Sequence, residues 1–134
     1  MKPSIEPDEK VLLECPITLR LQYPLDMTPI KKTAYLTNNR LIIEKGEDFF
    51  YFPFDWMMGL GLSKSADSGD FIELGHDKKL RFSVFSTGTV EERNQKTEKL
   101  FGWIHHLCTR PLKSSEVLKE ISASRKHFAA GKKR

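Results

Sequence analysis

The stretch VLLECPITLRLQY, residues 11–23, decides the fold. Every odd position in it is apolar: Val11, Leu13, Cys15, Ile17, Leu19, Leu21 and Tyr23. Of the even positions, Leu12, Glu14, Pro16, Thr18, Arg20 and Gln22, only Leu12 is strongly apolar. Alternation sustained over 13 residues means a β-strand with one buried face. A strand of about twice the common length is expected to bend or to serve two parts of a sheet. Pro16 has no N–H to give to a ladder, so the bend or an edge is expected beside it.

Working outward, 23–29 (YPLDMTP) reads as a loop, because two prolines bracket it and Asp26 supplies turn chemistry. Runs 30–36 and 41–44 read as strands joined at Thr37-Asn38-Asn39-Arg40, where paired asparagines tolerate the positive φ of a tight hairpin. Lys45-Gly46-Glu47-Asp48 reads as a further turn. The aromatic run 49–62 reads as a strand bending at Pro53 or Gly59, and 63–69 as a polar loop. A second hairpin is expected from 71–74 and 80–85 around Gly75 to Lys79. Six or seven strands with no helix between them exclude βαβ architecture and imply an antiparallel barrel or sandwich.

The period then changes to about 3.6. Thr89 followed by Glu92 is a capping-box signature. Behind it Val90, Thr97, Leu100, Phe101, Ile104, Leu107 and Cys108 form one helical stripe with Trp103 at its margin. Glu92 and Lys96 are spaced for an i,i+4 pair, and Arg110-Pro111 ends the helix. Residues 115–130 read as a second helix, with Val117, Leu118, Ile121 and Phe128 as a narrow apolar face. The expected organisation is an N-terminal extension (1–10), a β-domain with its helix (11–109) and a basic helical tail (110–134).

The chain has 134 residues and a formal net charge of +4. Residues 1–111 hold 15 Lys and Arg against 16 Asp and Glu, whereas 112–134 hold seven basic side chains and two acidic ones. The basic excess therefore belongs to the tail. That argues against a nucleic-acid-binding face on the folded body. The apolar run 49–62 is interrupted by Pro53 and Asp55 and falls short of the roughly 20 residues that span a bilayer. Residues 1–10 mix both charges and have no apolar stretch, unlike a signal peptide. A cytoplasmic setting with Cys15 and Cys108 reduced is the expectation.

Chemistry-bearing constellations do not emerge. His105 and His106 are adjacent on a helix, about 100° apart, so they cannot share a metal. Gly59-Leu60-Gly61 precedes no helix and is not a dinucleotide fingerprint. Cys15 and Cys108 lie on apolar faces, as small hydrophobes do. A non-enzymatic protein with neither metal nor cofactor is expected.

The stretch YLTNNRLII, residues 35–43, resembles the L-T-x-x-R-L-I hairpin of GRAM and related pleckstrin-homology-like (PH-like) domains. Tyr51-Phe52-Pro53-Phe54-Asp55-Trp56 is similar to the strand that follows it there, and the order of elements matches over 8–108. The resemblance implies a PH-like antiparallel barrel capped by an amphipathic helix, a fold class that is mainly β, and binding rather than catalysis. Lipid-binding members often use a basic motif across the first hairpin. Its counterpart would be Arg20, Lys31 and Lys32 beside Leu25 and Met27, for phosphoinositide or anionic membrane-surface contact.

The aromatic cluster favours a protein partner or self-association. Six of the 14 aromatics fall in residues 49–56. Alternation sends Phe50, Phe52, Phe54 and Trp56 to one face, and Phe49 and Tyr51 to the other. Those two are expected to be covered by the second helix or by another subunit, since exposed aromatic patches mark interfaces. Phe49, Tyr51 and Trp56 are thus the candidate partner-binding residues.

Overall fold

The computed structural model describes residues 2–21, 30–56, 59–65, 69–75, 80–109 and 115–129. Its strands are β1 (Val11–Leu21), β2 (Ile30–Thr37), β3 (Arg40–Lys45), β4 (Asp48–Pro53), β5 (Gly61–Ser65), β6 (Gly69–Leu74) and β7 (Leu80–Val84). They form one antiparallel sheet in the order β4-β3-β2-β1-β7-β6-β5, curled into a half-barrel with β4 and β5 at its edges. The helices α1 (Val90–Thr109), α2 (Ser115–Ala123) and α3 (Arg125–Ala129) follow. The fold is mainly β with a C-terminal helix and a short helical tail.

The long first strand serves both halves of the sheet. It pairs with β2 from Val11 to Leu19, and with β7 only from Ile17 to Leu21. Pro16 sits where the β7 ladder stops: its carbonyl accepts the Phe85 N–H at 2.9 Å. The missing donor thus falls at the ladder's end, where it costs least. Leu13, Cys15, Ile17 and Leu19 are buried as the alternation requires. A register shift between Val11 and Leu13 lets Leu12 be buried as well.

Two sequence expectations are corrected here. The aromatic run is not one strand: β4 ends at Pro53 and a 3-10 turn, Phe54–Trp56, follows. Phe54 and Trp56 therefore leave the strand alternation, although Phe54 is still buried and its N–H bonds to the Asn39 carbonyl at 3.1 Å. Residues 63–65, expected in a loop, belong to β5 and pair with β6. Their polar side chains suit an edge strand with one face in water.

Helix α1 begins as its capping box specifies. Glu92 N–H donates to Thr89 Oγ1 at 3.1 Å, and Thr89 N–H donates to Glu92 Oε1 at 3.0 Å. Backbone hydrogen bonding at Thr89 holds the Glu92 carboxyl below its ordinary value. Thr89→Ala should cost about 1 kcal/mol, read as a lowered denaturant midpoint at unchanged m-value. The helix also completes hydrogen bonding beyond the last paired residues of β6 and β7, Ile72 and Phe82. Thr97 Oγ1 accepts the Val84 N–H at 3.0 Å, and Asn94 Oδ1 accepts the Asp70 N–H at 2.9 Å. Gly69, at φ +84°, lies so close that a Cβ would collide with Arg93 and Asn94.

The stripe of α1 is buried at Thr97, Leu100, Trp103, Ile104 and Leu107. Val90, expected on the stripe, is exposed in the first turn, and Trp103 lies inside instead of at the margin. The tail is what buries Trp103. Phe128 of α3 packs on Trp103 at 5.3 Å between ring centroids, and Ile121 of α2 joins the same core. Arg125 donates from Nε to the Leu12 carbonyl (3.0 Å) and from Nη2 to the Val11 carbonyl (3.1 Å), along the part of β1 that β7 does not reach. The expected single second helix is broken at Ser124, whose Oγ back-bonds to the Glu120 carbonyl at 3.0 Å, a bond that bends helices.

The candidate interaction face

Cross-strand register places Glu14, Tyr35, Ile42 and Tyr51 in one row across β1 to β4. Side chains along a strand alternate between faces, and Leu13, Leu36, Leu41 and Phe52 occupy the neighbouring row that feeds the main core. Tyr35 and Ile42 stand apart from that core, yet are 5% and 0% exposed. A second, smaller apolar layer therefore lies on the outside of the sheet. Phe49 extends it, edge-on to Tyr35 (6.3 Å, 70°) and beside Tyr51 (6.2 Å, 53°).

What covers this layer is the N-terminal segment. Lys2 Nζ bonds Glu14 at 3.1 Å and lies 5.8 Å from the Tyr35 ring centre. Ser4 N–H donates to the Tyr51 hydroxyl at 3.2 Å, while Arg40 Nη2 donates to the Ser4 carbonyl at 2.8 Å. The segment thus crosses the strands from β1 to β4, and Pro3, between the two anchors, is buried. The expected cover, Val117, Ile121 and Phe128, instead packs into the main core. Burial pushes the Tyr35 hydroxyl above its ordinary value.

The segment is rooted by a buried ion pair. Glu9 accepts from Arg40 Nε and Nη2, both at 2.9 Å, and from Thr37 Oγ1 at 2.6 Å. A tight turn closes on the same carboxylate, with Glu6 N–H donating to Glu9 Oε1 at 3.1 Å and Glu9 N–H to the Glu6 carbonyl at 3.0 Å. The Glu9 side chain is 0% exposed and that of Arg40 17%. Burial alone would raise the Glu9 carboxyl, but the bonds from Arg40, Thr37 and the Glu6 N–H outweigh it and hold the group below its ordinary value. The Arg40 guanidinium also stacks 4.6 Å from the Tyr51 ring centre, a cation–π contact.

The candidate residues from sequence fall unevenly on this face. Phe49 is half-buried and Tyr51 is 37% exposed. The backbone of Trp56 lies in the 3-10 turn, and its side chain is outside the described residues. Of the lipid-surface set, the apolar Leu25 and Met27 lie outside the described residues, as does the side chain of Arg20. Lys31 is exposed, its ammonium 4.3 Å from the Phe85 ring centre, opposite Thr18. Lys32 pairs with buried Ile17 and belongs to the other face. Two consecutive strand lysines do not converge on one anion.

Sequence reasoning missed Pro3, Ser4, Glu9, Arg40, Tyr35 and Ile42. One signal was available: Leu41-Ile42-Ile43 is an unbroken apolar run, which marks a strand buried on both faces. Among the described residues no three His, Cys, Asp or Glu side chains gather as a metal site would need, and no helix is long and apolar enough to cross a membrane. No protein-family model and no curated protein matches the chain.

Proposed function

We propose that this protein is a non-catalytic interaction module of PH-like architecture. It binds a protein partner, or a second copy of itself, through the outer face of β2 to β4. The observation that carries this reading is an aromatic layer outside the main core, Tyr35, Phe49 and Tyr51, covered by one short segment that leaves Tyr51 37% exposed. An aromatic face rimmed by Arg40 has the composition of interface centres. The runner-up, an anionic-lipid surface built on Arg20, Lys31 and Lys32, has less support because Lys31 and Lys32 lie on opposite faces.

Tyr51→Asp tests the reading. Placing a charge in an interface centre should lower affinity for the partner, or the self-association constant, by about thirtyfold, the scale of an interface hot spot. The readout is crosslinking and size-exclusion of the full chain, together with capture from lysate, on a variant whose cooperative thermal unfolding shows that it is folded. A chain that is monomeric throughout, with the same captured proteins before and after substitution, would sink the proposal.

A further inference from the structure

The N-terminal segment has two parts held by very different forces. Its root, residues 6–10, carries the buried Glu9 carboxylate in a bidentate pair with Arg40, and Lys10 N–H donates to Asn38 Oδ1 at 2.8 Å. Its tip, residues 2–5, is held by an exposed ion pair and two main-chain hydrogen bonds. The Lys2 and Glu14 side chains are 71% and 41% exposed, and pairs so solvated contribute little. Ile5, the next apolar residue, is left 39% exposed. The tip is therefore seated but incompletely docked, while the root is clamped.

The way the tip sits defines what the face accepts. A cation reaches Glu14 and the Tyr35 ring, a proline is buried next to it, and the following residue offers both its N–H and its carbonyl, to Tyr51 and Arg40. Both main-chain groups of one residue are thus engaged by side chains, as when an extended peptide lies across a receptor. Proline suits such a segment because it is partly ordered before binding and loses little entropy.

We propose that the partner taken by this face is an extended basic-proline-small segment, and that Lys2-Pro3-Ser4 is its occupant in cis. Residues 2–5 peel away for an incoming segment while Glu9 stays clamped to Arg40. This rests on the reading of the β2–β4 face as the partner surface. The tethered tip competes at the high effective concentration of a short linker, so the closed chain is a weak receptor and the opened one a stronger receptor.

The test uses the full chain and the synthetic peptide Met-Lys-Pro-Ser-Ile, titrated by NMR with the Tyr35 and Tyr51 signals as reporters. Lys2→Glu with Pro3→Ser unseats the tip without touching the clamp. This variant should bind the peptide about tenfold more tightly than the parent chain, as loss of an intramolecular competitor predicts. A peptide with its proline replaced by alanine should bind several-fold more weakly. Lys2→Ala with Pro3→Ala is the second route should charge reversal disturb the fold. If either folded variant binds no more tightly than the parent, or the alanine peptide binds equally well, the cis-occupant proposal is overturned. In that case a Tyr51→Asp effect on partner capture would still stand for the broader reading, and loss of both would remove both.

Discussion

Replacing Phe128 by alanine is expected to cost about 3–5 kcal/mol and lower the melting temperature by about 10–15 °C. The residue lies six positions before Arg134, in a basic tail, where such a loss is ordinarily not seen. The expectation comes from where the ring is. Phe128 is 0% exposed and packed at a tilt against Trp103, which is itself 5% exposed, with Ile121 in the same cluster. Truncation leaves a cavity that α3, a helix of five residues, can refill only by shifting away from the Arg125 bonds to the Val11 and Leu12 carbonyls. Phe128→Leu, which keeps most of the volume, should cost much less. A melting temperature within about 2 °C of the parent for the alanine variant would show that the tail does not pack on the sheet.

The second large effect is expected at Arg40→Met. Removing one partner of a buried ion pair costs about 3–5 kcal/mol, because the other charge is stranded. The low end applies here, about 3 kcal/mol, because Glu9 sits on a terminal segment that can swing out and rehydrate. The loss should come with a structural sign, deprotection of the Ile42 and Tyr51 amides to hydrogen exchange as the cover lifts. Glu9→Gln should act in the same direction and also change the acid limb of stability. The Glu9 carboxyl is held below its ordinary value, so the unfolded state binds more protons than the folded one in the acidic range. Its contribution is thus present above the ordinary value near pH 4.3 and is lost as pH falls through the lower folded value. Between those two points stability rises with pH, and Glu9→Gln should flatten that rise. A residual slope should remain, since Glu92 and Glu98 are also held low, by Thr89 and by Lys64 respectively. An acid limb unchanged in Glu9→Gln would remove the buried pair as the root of the segment.

Much of the fold was legible because its signals are local. The alternation from Val11 specified the long strand, the Asn38-Asn39 pair its first hairpin, and Thr89 with Glu92 the start of α1. The apolar face of the second helix was also readable, and Val117, Leu118, Ile121 and Phe128 do pack against the core. The candidate face was legible only in part. Clustered aromatics drew attention to Phe49 and Tyr51, and alternation put them opposite Phe50 and Phe52. Their partners were not readable, because Ser4 and Glu9 meet Tyr51 and Arg40 across separations of 31 to 47 residues. No periodicity connects such positions.

What the sequence by itself determined, then, is the inventory of elements and the face each presents to the core, since burial patterns and caps are written over a few neighbouring residues. The tertiary structure alone decided which terminus covers which surface. The basic tail, which by charge looked like a separate appendage, supplies Ile121 and Phe128 to the main core. The polar N-terminal extension, to which the sequence assigned no contact, covers the aromatic layer and is held there through one carboxylate and one arginine. Those choices depend on a buried charge finding its partner and on sheet curvature bringing distant rows together, and both are properties of the folded chain as a whole.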